Sequence, residues 1–68
     1  MPTIIETLIF FGLITSPSDV DLSKFDSVQL QVIEQASIRT QQLIANHGNQ
    51  DDIKIQYIII EDVLAGNN

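Results

Sequence analysis

Two short apolar segments, separated by a longer polar-faced segment, constrain the fold of this chain more than any other feature. The first covers residues 4–11 and reads Ile-Ile-Glu-Thr-Leu-Ile-Phe-Phe. The second covers residues 53–60 and reads Ile-Lys-Ile-Gln-Tyr-Ile-Ile-Ile. β-Branched and aromatic residues dominate both segments, and these residue types favour a pleated, buried surface. The composition therefore predicts a β-strand in each segment.

The first segment also fits a helix, so two interpretations compete. As a strand, it places Leu8 and Phe10 on one face, and its opposite face is apolar as well, which is typical of a strand covered on both sides. As a helix, it has a capping box in Thr3 and Glu6, and several of its apolar residues share one helical face. Gly12 interrupts the run, and the strand is the preferred interpretation.

The segment between the two predicted strands indicates an amphipathic helix. Asp26 or Ser27 can cap its start, and Asp26 with Gln29 three residues later fits a capping box. Residues 15–26, rich in Ser and Asp, predict the loop that precedes it. Gly48 stands where a left-handed residue commonly ends a helix. The apolar stripe of this helix has a spacing close to 3.6 residues and comprises Val28, Val32, Ile33, Ala36, Thr40, Leu43 and Ile44.

A β-α-β unit with only two strands cannot cover its own sheet. A right-handed crossover makes the two strands parallel, and a two-stranded sheet is not stable alone. A chain of 68 residues forms at most one domain and buries only about 60% of its unfolded surface. It contains no cysteine and one histidine, which excludes disulfides and the usual zinc sites. We therefore predict a small α+β (α/β) fold over residues 1–68, whose sheet is completed by oligomerisation.

The charge balance excludes several classes of partner. Nine acidic residues against three basic ones give a formal net charge of −6, which argues against binding to nucleic acid or to anionic membranes. The acidic residues are scattered, which favours a solubilising role over mimicry of DNA. The first apolar run lacks a positive leader and is shorter than the ~20 residues of a transmembrane helix. We expect a cytoplasmic protein with no membrane span.

Pro2 supplies the most specific chemical hypothesis. If Met1 is removed, Pro2 becomes a secondary amine that can act as a general base or nucleophile near neutral pH. A short chain with proline, strand, helix and strand in this order resembles the 4-oxalocrotonate tautomerase family, in which small β-α-β subunits form hexamers around such a proline. That family binds a dicarboxylate substrate through arginines. Arg39 is the only arginine here, and residues 12–23 contain no basic residue. Pro2 and Arg39 are catalytic candidates under this alternative only.

The favoured interpretation is a non-catalytic protein, because no motif in the chain is specific for a reaction, a cofactor or a metal. We expect it to self-associate as a dimer or higher homo-oligomer and to bind another protein, as an accessory or regulatory subunit. The alternatives are the tautomerase-like enzyme and a small-ligand-binding oligomer with a pocket between subunits near Tyr57 and Arg39. The residues predicted to form interfaces are apolar or aromatic: Phe10, Phe11, Leu30, Ile38, Ile58 and Ile60.

Overall fold

Three α-helices form the fold of residues 2–66, the part of the chain that the computed structural model describes. Helix α1 spans Pro2–Phe10, α2 spans Ser27–Ala45 and α3 spans Gln50–Leu64. No β-strand forms within the described residues. The predicted β-α-β fold is therefore wrong, and the chain is a small all-helical domain. Helices α1 and α3 each pack against α2.

Helix α1 occupies the first apolar segment, which the composition predicts as a strand. Pro2 is its first residue, a position where the backbone N–H has no partner within a helix and proline is tolerated. Ile4 and Leu8 lie one turn apart and are buried, whereas Phe10 is 55% exposed. A strand would have placed Leu8 and Phe10 on the same face. Isoleucine lowers helix propensity by only about 0.4 kcal/mol per residue, which is less than burial of one apolar stripe contributes.

Helix α3 occupies the second apolar segment. Its N-cap is Asn49, whose side-chain oxygen accepts a hydrogen bond from the backbone N–H of Asp51 at 2.6 Å. Asp51 and Asp52 lie in the first turn, where carboxylates interact favourably with the positive end of the helix. Ile60 is completely buried while Ile58 is 45% exposed, although a strand would have placed both on one face. The second predicted strand is therefore also wrong.

Helix α2 confirms the predicted helix and its start. The carboxylate of Asp26 accepts a hydrogen bond from the N–H of Gln29 at 2.8 Å, and the side-chain oxygen of Gln29 accepts one from the N–H of Asp26 at 3.0 Å. The end of the helix differs from the prediction. His47, with φ of 53°, is the left-handed residue, while Gly48 donates its N–H to the carbonyl of Leu43 at 2.6 Å. A Cβ at Gly48 would lie 2.7 Å from Leu43 Cδ2 and 3.1 Å from the Leu43 carbonyl oxygen, so a larger residue there would displace the Leu43 side chain.

The loop between α1 and α2 is ordered by a carboxylate and by apolar side chains. Asp19 accepts hydrogen bonds from the hydroxyl of Thr15 at 2.7 Å and from the backbone N–H groups of Thr15 at 2.9 Å and Ser16 at 3.0 Å. These bonds favour the charged carboxylate, so the Thr15 hydroxyl, followed by the two amides, lowers the pKa of Asp19. Five apolar loop residues pack against the core: Phe11, Leu13, Val20, Leu22 and Phe25.

The core draws on all three helices and on the loop. Its buried apolar residues are Ile4, Leu8, Ile14, Ile33, Ala36, Ile60 and Val63. Three hydroxyl residues, Thr7, Ser37 and Thr40, are also completely buried. The hydroxyl of Thr7 accepts a hydrogen bond from the side-chain amide of Gln41 at 3.1 Å, which joins α1 to α2. Thr40 donates to a backbone carbonyl one turn earlier at 2.7 Å.

Replacing Ser37 with alanine is expected to stabilise the domain by about 1 kcal/mol. The hydroxyl of Ser37 is buried without a hydrogen-bond partner among the described residues, and such a group retains its full desolvation cost. Urea unfolding measures the change, with Thr40→Val as the matched control, because that variant removes a hydroxyl that does have a partner. A Ser37→Ala variant less stable than the wild type would show that the hydroxyl is bonded in solution.

Candidate protein-binding surface

The six residues predicted to form interfaces take different positions in the fold. Phe10, Ile38 and Ile58 are exposed, Phe11 and Leu30 are half-buried, and Ile60 is completely buried. Ile60 belongs to the core, so no partner reaches it in the folded chain. Whether the others contact a partner stays a prediction.

An aromatic cluster joins the end of α1 to α3. The ring of Phe11 lies 5.3 Å from the ring of Phe10 and 5.3 Å from that of Tyr57, in an edge-to-face arrangement with the latter. The hydroxyl of Tyr57 donates a hydrogen bond to Glu61 at 3.1 Å. This bond, together with the negative charge of Glu61, raises the pKa of Tyr57. Tyr57 thus takes part in this contact with the end of α1 and does not line the groove described below, which contains Arg39.

The fold contradicts the basis of the resemblance to the 4-oxalocrotonate tautomerase family. The resemblance rested on a β-α-β order, and the described residues are helical where it required strands. Pro2 is the first residue of α1, but its side chain, like the whole of Met1, lies outside the described residues.

Among residues 2–66 there is no cluster of three or more His, Cys, Asp or Glu able to hold a metal ion. No helix in that range combines the length and apolarity needed to cross a membrane.

A groove of about 530 Å³ runs between α2 and α3. Its apolar lining comes from Val28, Val32 and Ala36 on α2 and from Ile59 on α3. Its polar lining consists of three glutamine side chains and the guanidinium of Arg39. Val28 is 63% exposed, so the groove is open to a partner along this side of α2.

Heptad spacing is found among residues that line the groove on α2 and along the side of α3 that contains Ile59. On α2, intervals of four, three and four residues separate Val28, Val32, Gln35 and Arg39. On α3, intervals of three, four and three residues separate Asp52, Ile55, Ile59 and Asp62. Such intervals place residues along one side of a helix and are the seam pattern of packed helix pairs. We call these eight residues the α2–α3 face.

The charges of the α2–α3 face complement one another. Among the described residues, Arg39 is the only charged one that lines the groove, and its guanidinium forms no hydrogen bond or ion pair with any of the others. Asp52 and Asp62 flank the apolar pair on α3, and within residues 2–66 their carboxylates are likewise without a partner. Among residues 2–66, the α2–α3 face therefore presents one cation and two anions without a partner, beside an apolar strip.

The sequence pattern predicts only part of this surface. It assigned Val28 and Val32 to the helix stripe expected to be buried, and it placed Ile55 and Ile59 on a strand. The signal that identifies the face is the heptad spacing of α3, which becomes visible only once the second apolar segment is treated as a helix.

Comparisons of this chain with protein-family models, with curated proteins and with solved structures find no significant match.

Proposed function

We propose that this chain is a small, non-catalytic protein-binding module that self-associates through the α2–α3 face and acts as an accessory or regulatory subunit. The observation that carries the proposal is the alignment of exposed apolar residues on two adjacent helices. Val28 is 63% exposed and Ile55 is 51% exposed, beside the half-buried Val32 and Ile59. A single exposed apolar residue is ordinary, whereas a continuous apolar strip is typical of an interaction surface.

A second copy of the chain is the partner that best fits this strip. Two α2–α3 pairs placed face to face make a four-helix arrangement, in which the heptad stripes become the inner seams. The small size of the domain supports the same conclusion, because a core of this size rarely supplies more than about 3–5 kcal/mol, and small domains are often stabilised by association. The interface would be near the small end of specific interfaces, so we expect a dissociation constant in the micromolar range.

Sedimentation velocity over a range of protein concentrations tests the proposal. The wild type is expected to shift from monomer to dimer, and Ile55→Glu is expected to weaken the dimer at least about tenfold, because it places a charge in the apolar strip. Ile9→Glu is the matched control, since Ile9 is 42% exposed on α1 and lies off the α2–α3 face. A wild type that stays monomeric throughout would contradict self-association. Loss of the dimer in Ile9→Glu alone would place the interface on α1.

A further inference from the structure

We infer that an ion pair closes the groove in this dimer, formed between Arg39 of one copy and Asp52 or Asp62 on α3 of the other. The inference rests on the proposed self-association through the α2–α3 face. The ion pair aligns the two copies and makes their association depend on the salt concentration.

Any partner that covers the groove also covers the charge of Arg39. Its guanidinium lies beside an apolar lining that includes Val32 and Ile59, and no described residue neutralises it. Covering an unpaired charge with an apolar surface costs free energy, whereas a carboxylate placed beside the guanidinium compensates the charge. A partner that brings a carboxylate to Arg39 is therefore favoured.

The same face of a second copy brings that carboxylate. Asp52 and Asp62 lie ten residues apart on α3, which is about 15 Å along a helix. They bracket Ile55 and Ile59, so a partner that docks its apolar strip into the groove carries a carboxylate to each end of it. The three side chains belong to one surface, as a two-fold interface requires, because each copy then supplies both members of the pair.

The direction of the two-fold axis decides which aspartate is used. Arg39 lines the groove together with Gln56 and Ile59 of α3, and these two residues lie between Asp52 in the first turn and Asp62 near the end of that helix. A two-fold axis along the helices and one across them place opposite ends of the partner's α3 against Arg39, so each arrangement offers a different aspartate. Both arrangements form the ion pair twice per dimer.

Charge reversal tests the ion pair directly. Arg39→Glu is expected to weaken the dimer at least about tenfold in sedimentation at low salt, because it turns attraction into repulsion at two places. Adding Asp52→Arg or Asp62→Arg to Arg39→Glu is expected to restore affinity to within about threefold of the wild type, and the aspartate that restores it identifies the axis. The wild-type dimer is expected to weaken when sodium chloride is raised from about 50 mM to about 500 mM.

Lys54→Glu is the matched control for net charge. It changes the charge by the same two units as Arg39→Glu, but Lys54 lies off the α2–α3 face, so we expect its dissociation constant to stay within about twofold of the wild type. Circular dichroism checks that each variant is folded, and Arg39→Gln replaces Arg39→Glu if the latter is not.

The proposed ion pair is contradicted if Arg39→Glu has no more effect on the dimer than Lys54→Glu, or if neither aspartate reversal restores the dimer. Either result leaves the proposed function standing as long as Ile55→Glu still disrupts the dimer. If Ile55→Glu has no effect, the proposed function itself fails.

Discussion

Ile60→Ala is expected to remove most of the stability of this domain, whereas Ile58→Ala, two residues away, is expected to cost less than about 1 kcal/mol. Ile60 is completely buried between the helices. Truncation of a buried isoleucine lowers the free energy of unfolding by about 2–5 kcal/mol, because apolar contacts are lost and a cavity is left. A domain of this size rarely has more than about 3–5 kcal/mol in total. Ile58 is 45% exposed on the opposite side of α3, so its truncation leaves no cavity.

Urea unfolding of the two variants, followed by circular dichroism, measures the difference. The protein is kept well below the dissociation constant of the dimer, because association would add stability by mass action. This pair of variants also tests the fold. On a strand, residues 58 and 60 share one face, and the two truncations would cost similar amounts. A similar loss in both variants would contradict the helical assignment of α3.

The sequence predicted α2 correctly because several independent signals agree there. Asp26 and Gln29 form the predicted capping box, and the apolar residues recur at helical spacing over more than four turns. A long periodic segment with a recognisable cap leaves little room for another structure. Even so, the stripe is too wide to show which part of it is covered. Val28 belongs to that stripe but is 63% exposed, because the positions of α1 and α3 determine which residues of the stripe are buried.

The two misassigned segments show why short apolar runs are ambiguous. Over eight residues, β-branched composition and helical periodicity give conflicting indications, and the difference in propensity is a few tenths of a kcal/mol per residue. The decisive signals lie outside the runs. Asn49 followed by Asp51 and Asp52 is a helix start, and the apolar spacing continues beyond the second run to Val63 and Leu64. Weighing these signals over composition would have predicted α3.

The candidate surface was harder to predict than the fold. The sequence indicates Arg39 as a ligand-binding or catalytic candidate, and its place in the groove depends on how α2 and α3 pack. Ile55 lies in the segment that the composition predicts as the second strand, whereas the helix places it on the α2–α3 face. An unpaired charge beside exposed apolar residues is a property of the assembled surface, which no single segment reveals.

Leu8→Ala is the second substitution expected to have a large effect, with a loss of about 2–5 kcal/mol, while Phe10→Ala is expected to cost about 1 kcal/mol or less. Leu8 is completely buried in the same core cluster as Ile60, whereas Phe10 is 55% exposed. The larger residue therefore has the smaller expected effect, which is the reverse of what residue size alone suggests. Urea unfolding at low protein concentration measures both changes.

The two variants of α1 separate a folding role from a binding role. If Phe10 contacts a partner, as the sequence predicts, Phe10→Ala lowers affinity for that partner while the free energy of unfolding stays close to that of the wild type. Leu8→Ala lowers the free energy of unfolding first, and any loss of binding follows from the unfolded fraction. Equal destabilisation by both variants would mean that residues 2–10 are covered on both sides, as in the strand interpretation, and the packing of α1 against α2 would have to be rejected.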